Sequence, residues 1–193
     1  ILMLSELNII TIFPEIINEW KKYGIVNQGV KKKLVTINTI DLRDWGIGSY
    51  KKIDDAPYGG GPGMVMMPEP LDKAIESVKA DKTIFLTPSG EEFSDEVALD
   101  MVESKSLTIV CGRYEGFDER IIEMHSDYEI SVGKTVVSGG EIPSMFIMEA
   151  LIRKIPYVLG NEGSLINETY TNDKIDFPVY TRPENYKGHE VPE

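Results

Sequence analysis

The most informative segment of this sequence reads Leu107-Thr-Ile-Val-Cys-Gly-Arg-Tyr-Glu-Gly-Phe-Asp-Glu-Arg120. Its apolar, β-branched start at residues 107–110 predicts a buried strand. Gly112 ends this strand, and a charged and aromatic turn follows it. Because ligands of open α/β folds bind beyond the carboxyl ends of strands, this turn is a candidate binding loop.

Two further segments also carry glycines. One runs from Tyr128 to Glu141, and the other reads Pro57-Tyr-Gly-Gly-Gly-Pro-Gly-Met64. Glycine allows backbone groups to approach a ligand without interference from a Cβ atom. Each segment alone is equally typical of an ordinary turn. Three of them in one small domain predict a shared ligand site.

The standard phosphate-binding motifs do not fit these segments. Gly133-Lys-Thr135 resembles the end of a P-loop, but Tyr128 stands where that motif requires its first glycine. The dinucleotide-binding pattern, counted from Gly59, fails because Met64 occupies its last glycine position. ATP hydrolysis and hydride transfer therefore lose their sequence support.

The apolar pattern alternates between strands and helices along the chain. Predicted strands lie at Leu7–Phe13, Leu34–Ile40, Thr83–Leu86, Leu107–Val110 and Tyr128–Val132. Predicted helices lie at Pro14–Lys22, Glu69–Lys79, Ser94–Glu103, a short stretch from Asp118, and Ile142–Lys154. This alternation predicts an α/β fold with a parallel sheet flanked by helices. We expect residues 41–63 to form a long functional loop.

The composition limits the class of protein. A hydrophobic content of 41% over 193 residues is enough for one globular core. No apolar run approaches membrane-spanning length, and the single cysteine, Cys111, fits a reducing, cytoplasmic environment. The two histidines, His125 and His189, lie far apart without ligand spacing, so we expect no metal site.

The net charge of −12 argues against simple nucleic-acid binding, because phosphate contacts need clustered lysines and arginines. Three basic clusters, Lys21–Lys22, Lys31–Lys33 and Lys51–Lys52, offer a local exception or an ordinary solvated surface.

Four blocks resemble the signature segments of the bacterial TrmD-type tRNA (guanine-N(1)-)-methyltransferases, which belong to the SPOUT class of knotted methyltransferases. These blocks are Pro57–Met64, Cys111–Arg120, Ser138–Glu141 and Tyr180–Glu184. The resemblance extends from about Leu7 to Glu193, in the family's order. It implies methylation of N1 of the guanosine directly 3′ of the tRNA anticodon, with S-adenosylmethionine as methyl donor and magnesium as a candidate assisting ion.

The resemblance also implies an architecture. It implies a deep trefoil knot around residues 84–155 and a homodimer with active sites at the subunit interface. Family members normally continue beyond Glu193 into a helical domain, and the chain starts at Ile1 rather than at a methionine. We therefore expect a methyltransferase domain at 1–160, a flexible linker at 161–176, and the start of a truncated tRNA-binding domain at 177–193. We expect such a fragment to bind tRNA poorly.

The resemblance assigns the cofactor to three loops. The implied cofactor-binding residues are Phe85, Leu86, Thr87, Pro88, Gly112, Tyr114, Glu115, Val132, Gly133, Lys134, Thr135, Val136, Val137, Gly139, Gly140 and Pro143. The implied substrate-binding residues are Gly59, Gly60, Gly61 and Gly63. Ordinary core packing is the alternative interpretation of Leu86, Val132 and Val137.

The resemblance supplies two catalytic candidates. Arg153 matches the family's catalytic arginine, twelve residues after Glu141. Glu168, in Asn167-Glu-Thr-Tyr170, stands where the family carries an aspartate as general base. Without the resemblance, the sequence favours a helix C-terminal charge for Arg153 and a solvated linker residue for Glu168.

Two other functions compete with this one. A knotted methyltransferase could act on another RNA base or on a ribose hydroxyl. A non-enzymatic RNA-binding domain is a third reading, which the acidic charge disfavours.

Overall fold

The computed structural model describes residues 3–159 and 178–192. The chain divides into two compact units, Ile1–Gly160 and Asn161–Glu193. Residues 161–176, predicted to form a flexible linker, lie outside the described residues.

The first unit alternates strands and helices. In chain order its elements are β1 (Glu6–Thr11), α1 (Pro14–Trp20), α2 (Gly24–Lys31), β2 (Thr36–Asp41), a 3-10 helix (Leu42–Trp45), β3 (Asp54–Asp55), β4 (Val65–Met66), α3 (Pro68–Val78), β5 (Lys82–Glu92), α4 (Asp95–Met101), β6 (Ser106–Val110), α5 (Glu119–His125), β7 (Tyr128–Ser131) and α6 (Glu141–Lys154).

Five strands form one parallel sheet in the order β2-β1-β6-β5-β7. Ile9 of β1 lies opposite Ile109 of β6, and Ile10 lies opposite Val110. Because side chains alternate along a strand, Ile9 and Ile109 join a core with α6, whereas Ile10 and Val110 join a second core with α3 and α5. The sheet is therefore buried on both faces. The predicted α/β fold with helices flanking a parallel sheet is confirmed. The knot stays a prediction.

Strand β5 is longer than its sequence predicts. The turn residues Thr87-Pro-Ser-Gly90 were expected to end the strand at Leu86, but the strand continues to Glu92. Its pairing with β7 shifts there, because Leu86 and Glu91 both pair with Ile130. The extra residues form a bulge, which is how a strand accommodates proline and glycine without ending.

Helix α2 was not predicted. Gly24 and Gly29 weaken its helical propensity, so its sequence does not favour a helix. Packing explains the outcome: a Cβ atom at Gly29 would lie 3.2 Å from Val35 and 3.3 Å from Ile152. The glycine lets α2 approach the core closely, and the resulting burial outweighs the propensity.

The predicted loop at 41–63 contains short elements of its own. It starts with the 3-10 helix, whose first turn is capped by the Asp41 carboxylate accepting from the Arg43 amide. Further along, β3 pairs with β4, so that Asp55 lies opposite Val65. The glycine-rich segment therefore lies between two paired strands rather than in a free loop.

The described part of the second unit is a small hairpin. Strands β8 (Asn185–Tyr186) and β9 (His189–Glu190) pair in antiparallel fashion across Lys187 and Gly188, which both have positive φ. Positive φ at both central residues is typical of the turns that match the twist of a two-residue hairpin. No helix in the described parts of the chain is long and apolar enough to cross a lipid bilayer.

Ile109→Ala should lower the free energy of unfolding by about 2–5 kcal/mol, because the central strand cannot close the gap left by a fully buried side chain. Urea unfolding followed by circular dichroism measures this. Ile16→Ala, on the exposed side of α1, is the matched control and should change stability by less than about 0.5 kcal/mol. Equal losses in both variants would contradict this location of the core.

Candidate active site

A cavity of about 450 Å³ opens beside the bulge in β5, where β6 and β7 end and α6 begins. Its walls are formed by residues 86–89, 112–117, 119, 122, 129–132, 135–140 and 143. The three loops thus meet as expected for parallel strands, whose carboxyl ends share one edge of the sheet.

Most predicted cofactor residues lie in these walls. The lining includes Leu86, Thr87, Pro88, Gly112, Tyr114, Glu115, Val132, Thr135, Val136, Val137, Gly139, Gly140 and Pro143. Three others do not line the cavity. Phe85 is fully buried and packs edge-on against Phe117, with ring centroids 5.1 Å apart. Gly133 and Lys134 lie in the β7–α6 loop outside the lining.

The bulge in β5 shapes one wall. Thr87, Pro88 and Ser89 fall between the two points where β5 pairs with Ile130, so they leave the sheet and border the cavity. The Thr87 hydroxyl lies 3.0 Å from the Ser89 hydroxyl. This wall therefore carries hydroxyl groups and unpaired backbone, which are suited to hydrogen bonding with a polar ligand.

The opposite wall depends on contact between backbones. The Gly140 amide donates to the Gly112 carbonyl over 2.8 Å. A Cβ atom at Gly140 would lie 2.7 Å from Cys111 Cα and 2.8 Å from the Gly112 nitrogen. The start of α6 can pack onto the end of β6 only because residue 140 lacks a side chain. The sequence predicted that the backbone at Gly140 would lie close to a ligand. Within the chain, this backbone lies against the loop that follows β6.

A nearly buried ion pair joins the same two loops. The Arg113 guanidinium donates to Glu141 Oε2 from Nε (3.0 Å) and from Nη2 (2.7 Å). Glu141 is 1% exposed, and its other oxygen accepts a hydrogen bond from the Thr11 hydroxyl at 2.7 Å. Arg113 Nη1 also donates to the Ser138 carbonyl, and its guanidinium lies 4.7 Å from the centre of the Phe13 ring. These contacts compensate both charges for the loss of water.

The glycine-rich segment is tied to the cavity through residues 63–66. The Glu115 amide donates to the Met64 carbonyl, and the Met66 amide donates to the Gly116 carbonyl, both over 2.9 Å. A Cβ atom at Gly63 would lie 2.5 Å from Glu115. Gly59, Gly60 and Gly61 lie in the exposed loop just before this contact, all with positive φ. Of the predicted substrate glycines, Gly63 therefore lies against a candidate cofactor loop, whereas Gly59, Gly60 and Gly61 have no neighbour within 4 Å of a Cβ position.

Cys111 is no candidate nucleophile. It is 1% exposed, and burial raises the pKa of its thiol far above the usual range. Because a thiol attacks only as the thiolate, covalent catalysis through Cys111 is excluded at neutral pH.

The model of the family described as tRNA (Guanine-1)-methyltransferase TrmD matches residues 5–193 of this chain. The chain belongs to the TrmD family. A tRNA (guanine-N(1)-)-methyltransferase of Nitrosospira multiformis is 41% identical to it, over 99% of this chain and 78% of that protein. The enzyme of the same name from Ruminiclostridium cellulolyticum is 39% identical, over 97% of this chain and 83% of that protein.

A solved TrmD-family structure has the same architecture. The tRNA (m1G37) methyltransferase from Aquifex aeolicus superposes with a TM-score of 0.81 at 37% identity, covering 98% of this chain and 81% of that one. The competing interpretation as a non-enzymatic RNA-binding domain is not supported by these relatives, which are named as methyltransferases.

The two catalytic candidates carried over from the TrmD resemblance lie away from the cavity or beyond the described residues. Arg153 is in the last turn of α6, twelve residues after Glu141, which corresponds to about 18 Å along the helix. Glu168 lies outside the described residues. Within one described chain, Arg153 does not reach the cavity lining.

Sequence reasoning missed several lining residues of this TrmD-family cavity. They are Phe117, Glu119, Ile122, Glu129, Ile130 and Ser131. Ser89, Arg113, Gly116 and Ser138 also line the cavity, and they lie within the loops predicted at 85–90, 111–116 and 132–140. Glu119 and Ile122 had no sequence signal, because only the packing of α5 beside the cavity brings them there. Leu86 belongs both to the hydrophobic core and to the cavity lining.

Arg113→Met should lower the free energy of unfolding by about 3–5 kcal/mol, because it leaves the buried Glu141 carboxylate without its cation. Lys73→Met is the matched control, since it breaks the exposed Lys73–Glu69 pair and should cost less than about 1 kcal/mol. Denaturant unfolding of both variants measures the difference. Equally small losses of unfolding free energy in both variants would show that the Arg113–Glu141 pair stabilises the fold no more than an exposed ion pair does.

Proposed function

We propose that this chain transfers a methyl group from S-adenosylmethionine to N1 of guanosine 37 in tRNA. The observation that carries the proposal is the cavity formed by the β5 bulge and the carboxyl ends of β6 and β7, in a chain that belongs to the TrmD family. The Aquifex aeolicus relative is named for this modified position. Methyltransferase chemistry requires a methyl donor, and the family implies S-adenosylmethionine.

The cavity has the chemistry that such a donor needs. Glycine backbone at Gly112 and Gly139 leaves amide and carbonyl groups accessible to an adenine ring. Leu86 and Val137 supply apolar surface for the faces of the ring, and Glu115 supplies a carboxylate that can face the sulfonium cation. Val137 is 44% exposed, which supports its role as lining and argues against ordinary core packing.

The reaction is an in-line displacement at the methyl carbon. A bond forms between guanine N1 and the methyl carbon, while the carbon–sulfur bond breaks and its electron pair returns to sulfur. Positioning nucleophile, carbon and sulfur in one line is the main requirement. N1 carries a proton at neutral pH, so a carboxylate must accept it. Charge that develops on the guanine carbonyl oxygen needs a cation.

Glu168 is our candidate for the base and Arg153 for the cation, as carried over from the family. A guanidinium suits a carbonyl oxygen because it offers two parallel donors. Since Arg153 lies about 18 Å along α6 from the cavity end, we propose that it serves the cavity of a second copy.

The exposed side of α6 supports such a dimer. Ile142, Phe146 and Glu149 recur at helical spacing on the exposed side of α6, and the half-buried Arg153 follows one turn later. The Phe146 ring touches Phe93 at one edge, with centroids 5.9 Å apart. Ile142 is 65% exposed and Phe146 is 57% exposed. Large apolar side chains in a row on a helix favour burial against a partner. A partner that covered them would also contact Arg153.

Other parts of the proposal rest on the sequence and the family. Magnesium assistance, a cytoplasmic location, the domain boundaries, weak tRNA binding and the trefoil knot stay predictions. Addition of EDTA to a methylation reaction tests the first of these, since an assisting ion would be removed.

In single-turnover reactions with the chain in excess of tRNA, Glu168→Gln should slow methylation by about a hundred- to ten-thousand-fold, the typical effect of losing a positioned base. Mass spectrometry of the digested tRNA identifies 1-methylguanosine as the product. Glu168→Asp is the control, because it keeps the carboxylate and should retain activity. Cofactor affinity, measured by calorimetry, should stay unchanged in both variants. Normal methylation by Glu168→Gln would show that the base lies elsewhere.

Mixing two inactive variants tests whether Arg153 acts across the interface. Thr87→Trp should fill the cavity and abolish cofactor binding, and Arg153→Met should abolish catalysis. If Arg153 serves its partner, random mixed dimers should recover about a quarter of the wild-type sites. Sedimentation equilibrium first establishes that each variant is a dimer. A mixture that stays inactive while forming mixed dimers would contradict a shared site.

A further inference from the structure

Three potential metal ligands meet on the surface between α3 and α5. His125 Nε2 lies 2.7 Å from Asp72 Oδ1, and Glu76 joins them so that the three ligand atoms lie within 4.8 Å of one another. None of the three residues lines the cavity. The cluster is therefore separate from the proposed methylation chemistry.

The fold builds this cluster from two helices. Asp72 and Glu76 are four residues apart on α3, so their carboxylates project from the same side. His125 is the last residue of α5, which packs against α3. Its side chain is only 13% exposed, so packing restricts the imidazole to this location. No sequence spacing predicts the cluster, and the expectation of no metal site was based on the separation of the two histidines.

The charges of the cluster are not balanced by cations. Within residues 3–159 and 178–192, no lysine or arginine forms an ion pair with Asp72 or Glu76, whereas Glu69 on the same helix pairs with Lys73. Glu76 also lies in the last turn of α3, where the helix dipole disfavours a carboxylate. Among the described residues, His125 is thus the nearest basic group to these two carboxylates.

We propose that Asp72, Glu76 and His125 bind a divalent transition-metal ion of the zinc class. One imidazole nitrogen and two carboxylate oxygens form a ligand set that zinc accepts, with the fourth position left to water. The imidazole argues against magnesium and calcium, which prefer oxygen ligands.

The spacing of the ligand atoms fits such an ion. Tetrahedral zinc with bonds of about 2.1 Å holds its ligand atoms roughly 3.4 Å apart. The observed separations, from 2.7 Å to at most 4.8 Å, bracket this value. Small side-chain rotations on the surface would suffice, and the ion would take the place of the hydrogen bond between His125 and Asp72.

A bound ion would connect two parts of the cavity surroundings. Helix α3 follows directly on β4, whose Met66 is hydrogen-bonded to Gly116 and Asp118. Helix α5 supplies Glu119 and Ile122 to the cavity wall. The ion would thus fasten the segment carrying the glycine-rich loop to the helix behind the candidate cofactor loop.

Zinc chloride titrated into the metal-free chain by calorimetry, in a buffer that does not chelate metal, tests the proposal. We expect binding of about one ion per chain. At free zinc about a hundred times the dissociation constant, the thermal midpoint should rise by about 5–10 °C. Magnesium chloride should produce neither effect.

Histidine NMR identifies the ligand directly, because the chain has only two histidines. Zinc should shift the ring nitrogen signals of His125 and leave those of His189 unchanged. Glu76→Gln should weaken zinc binding by more than about tenfold. His125→Gln should do the same. Glu69→Gln, on the same helix, is the control and should bind zinc like the wild type.

Glu76→Gln also guards against failure of folding, since Glu76 is exposed and its neighbours do not depend on it. The proposal is overturned if the His125 signals stay in place, if zinc does not bind, or if Glu76→Gln and His125→Gln bind zinc as tightly as the wild type. None of these outcomes depends on methylation, so the result is independent of the proposed function.

Discussion

The arrangement of the cavity depends on one nearly buried ion pair, Arg113 with Glu141. Glu141 begins α6 and is almost completely removed from water, so its charge must be compensated inside the protein. Arg113, three residues after the end of β6, contacts both that carboxylate and the ring of Phe13. Thr11, at the end of β1, completes the compensation. The ends of two strands, β1 and β6, and the start of α6 thereby meet around one charge beside the cavity.

Sequence reasoning recovered the parallel sheet because its strands are short, apolar and separated by helical periods. It failed where tertiary contacts outweigh local preference. Gly24 and Gly29 argued against α2, yet close packing on Val35 and Ile152 favours the helix. Pro88 predicted the end of β5, but the strand continues past Pro88 through a bulge. Among site residues, the loops were predictable from glycines at strand ends, whereas Glu119 and the Asp72–His125 contact depend on helix packing that no periodicity reports.

Helix α6 is the element on which the proposed dimer depends. It is buried along one side through Ile147, Met148 and Leu151, yet it keeps Ile142 and Phe146 in solvent. A helix that is apolar on opposite sides has more hydrophobic surface than one domain can cover. The same helix carries its cavity end and Arg153 about three turns apart. In the proposed dimer, a two-fold axis would bring the Arg153 end of one α6 towards the cavity end of the other.

The contact of Gly140 with Cys111 and Gly112 also bears on how the cavity could change under selection. The wall around Gly140 consists of main chain packed on main chain. Any side chain at residue 140 is therefore excluded by its volume, whatever its polarity. The rim, by contrast, carries side chains such as Val136, which is 78% exposed and free to vary in size and polarity. A small molecule that occupies the cavity and contacts only rim side chains could be excluded by many different single substitutions. A small molecule that hydrogen-bonds to the main chain of the Gly140 wall could be excluded by few substitutions.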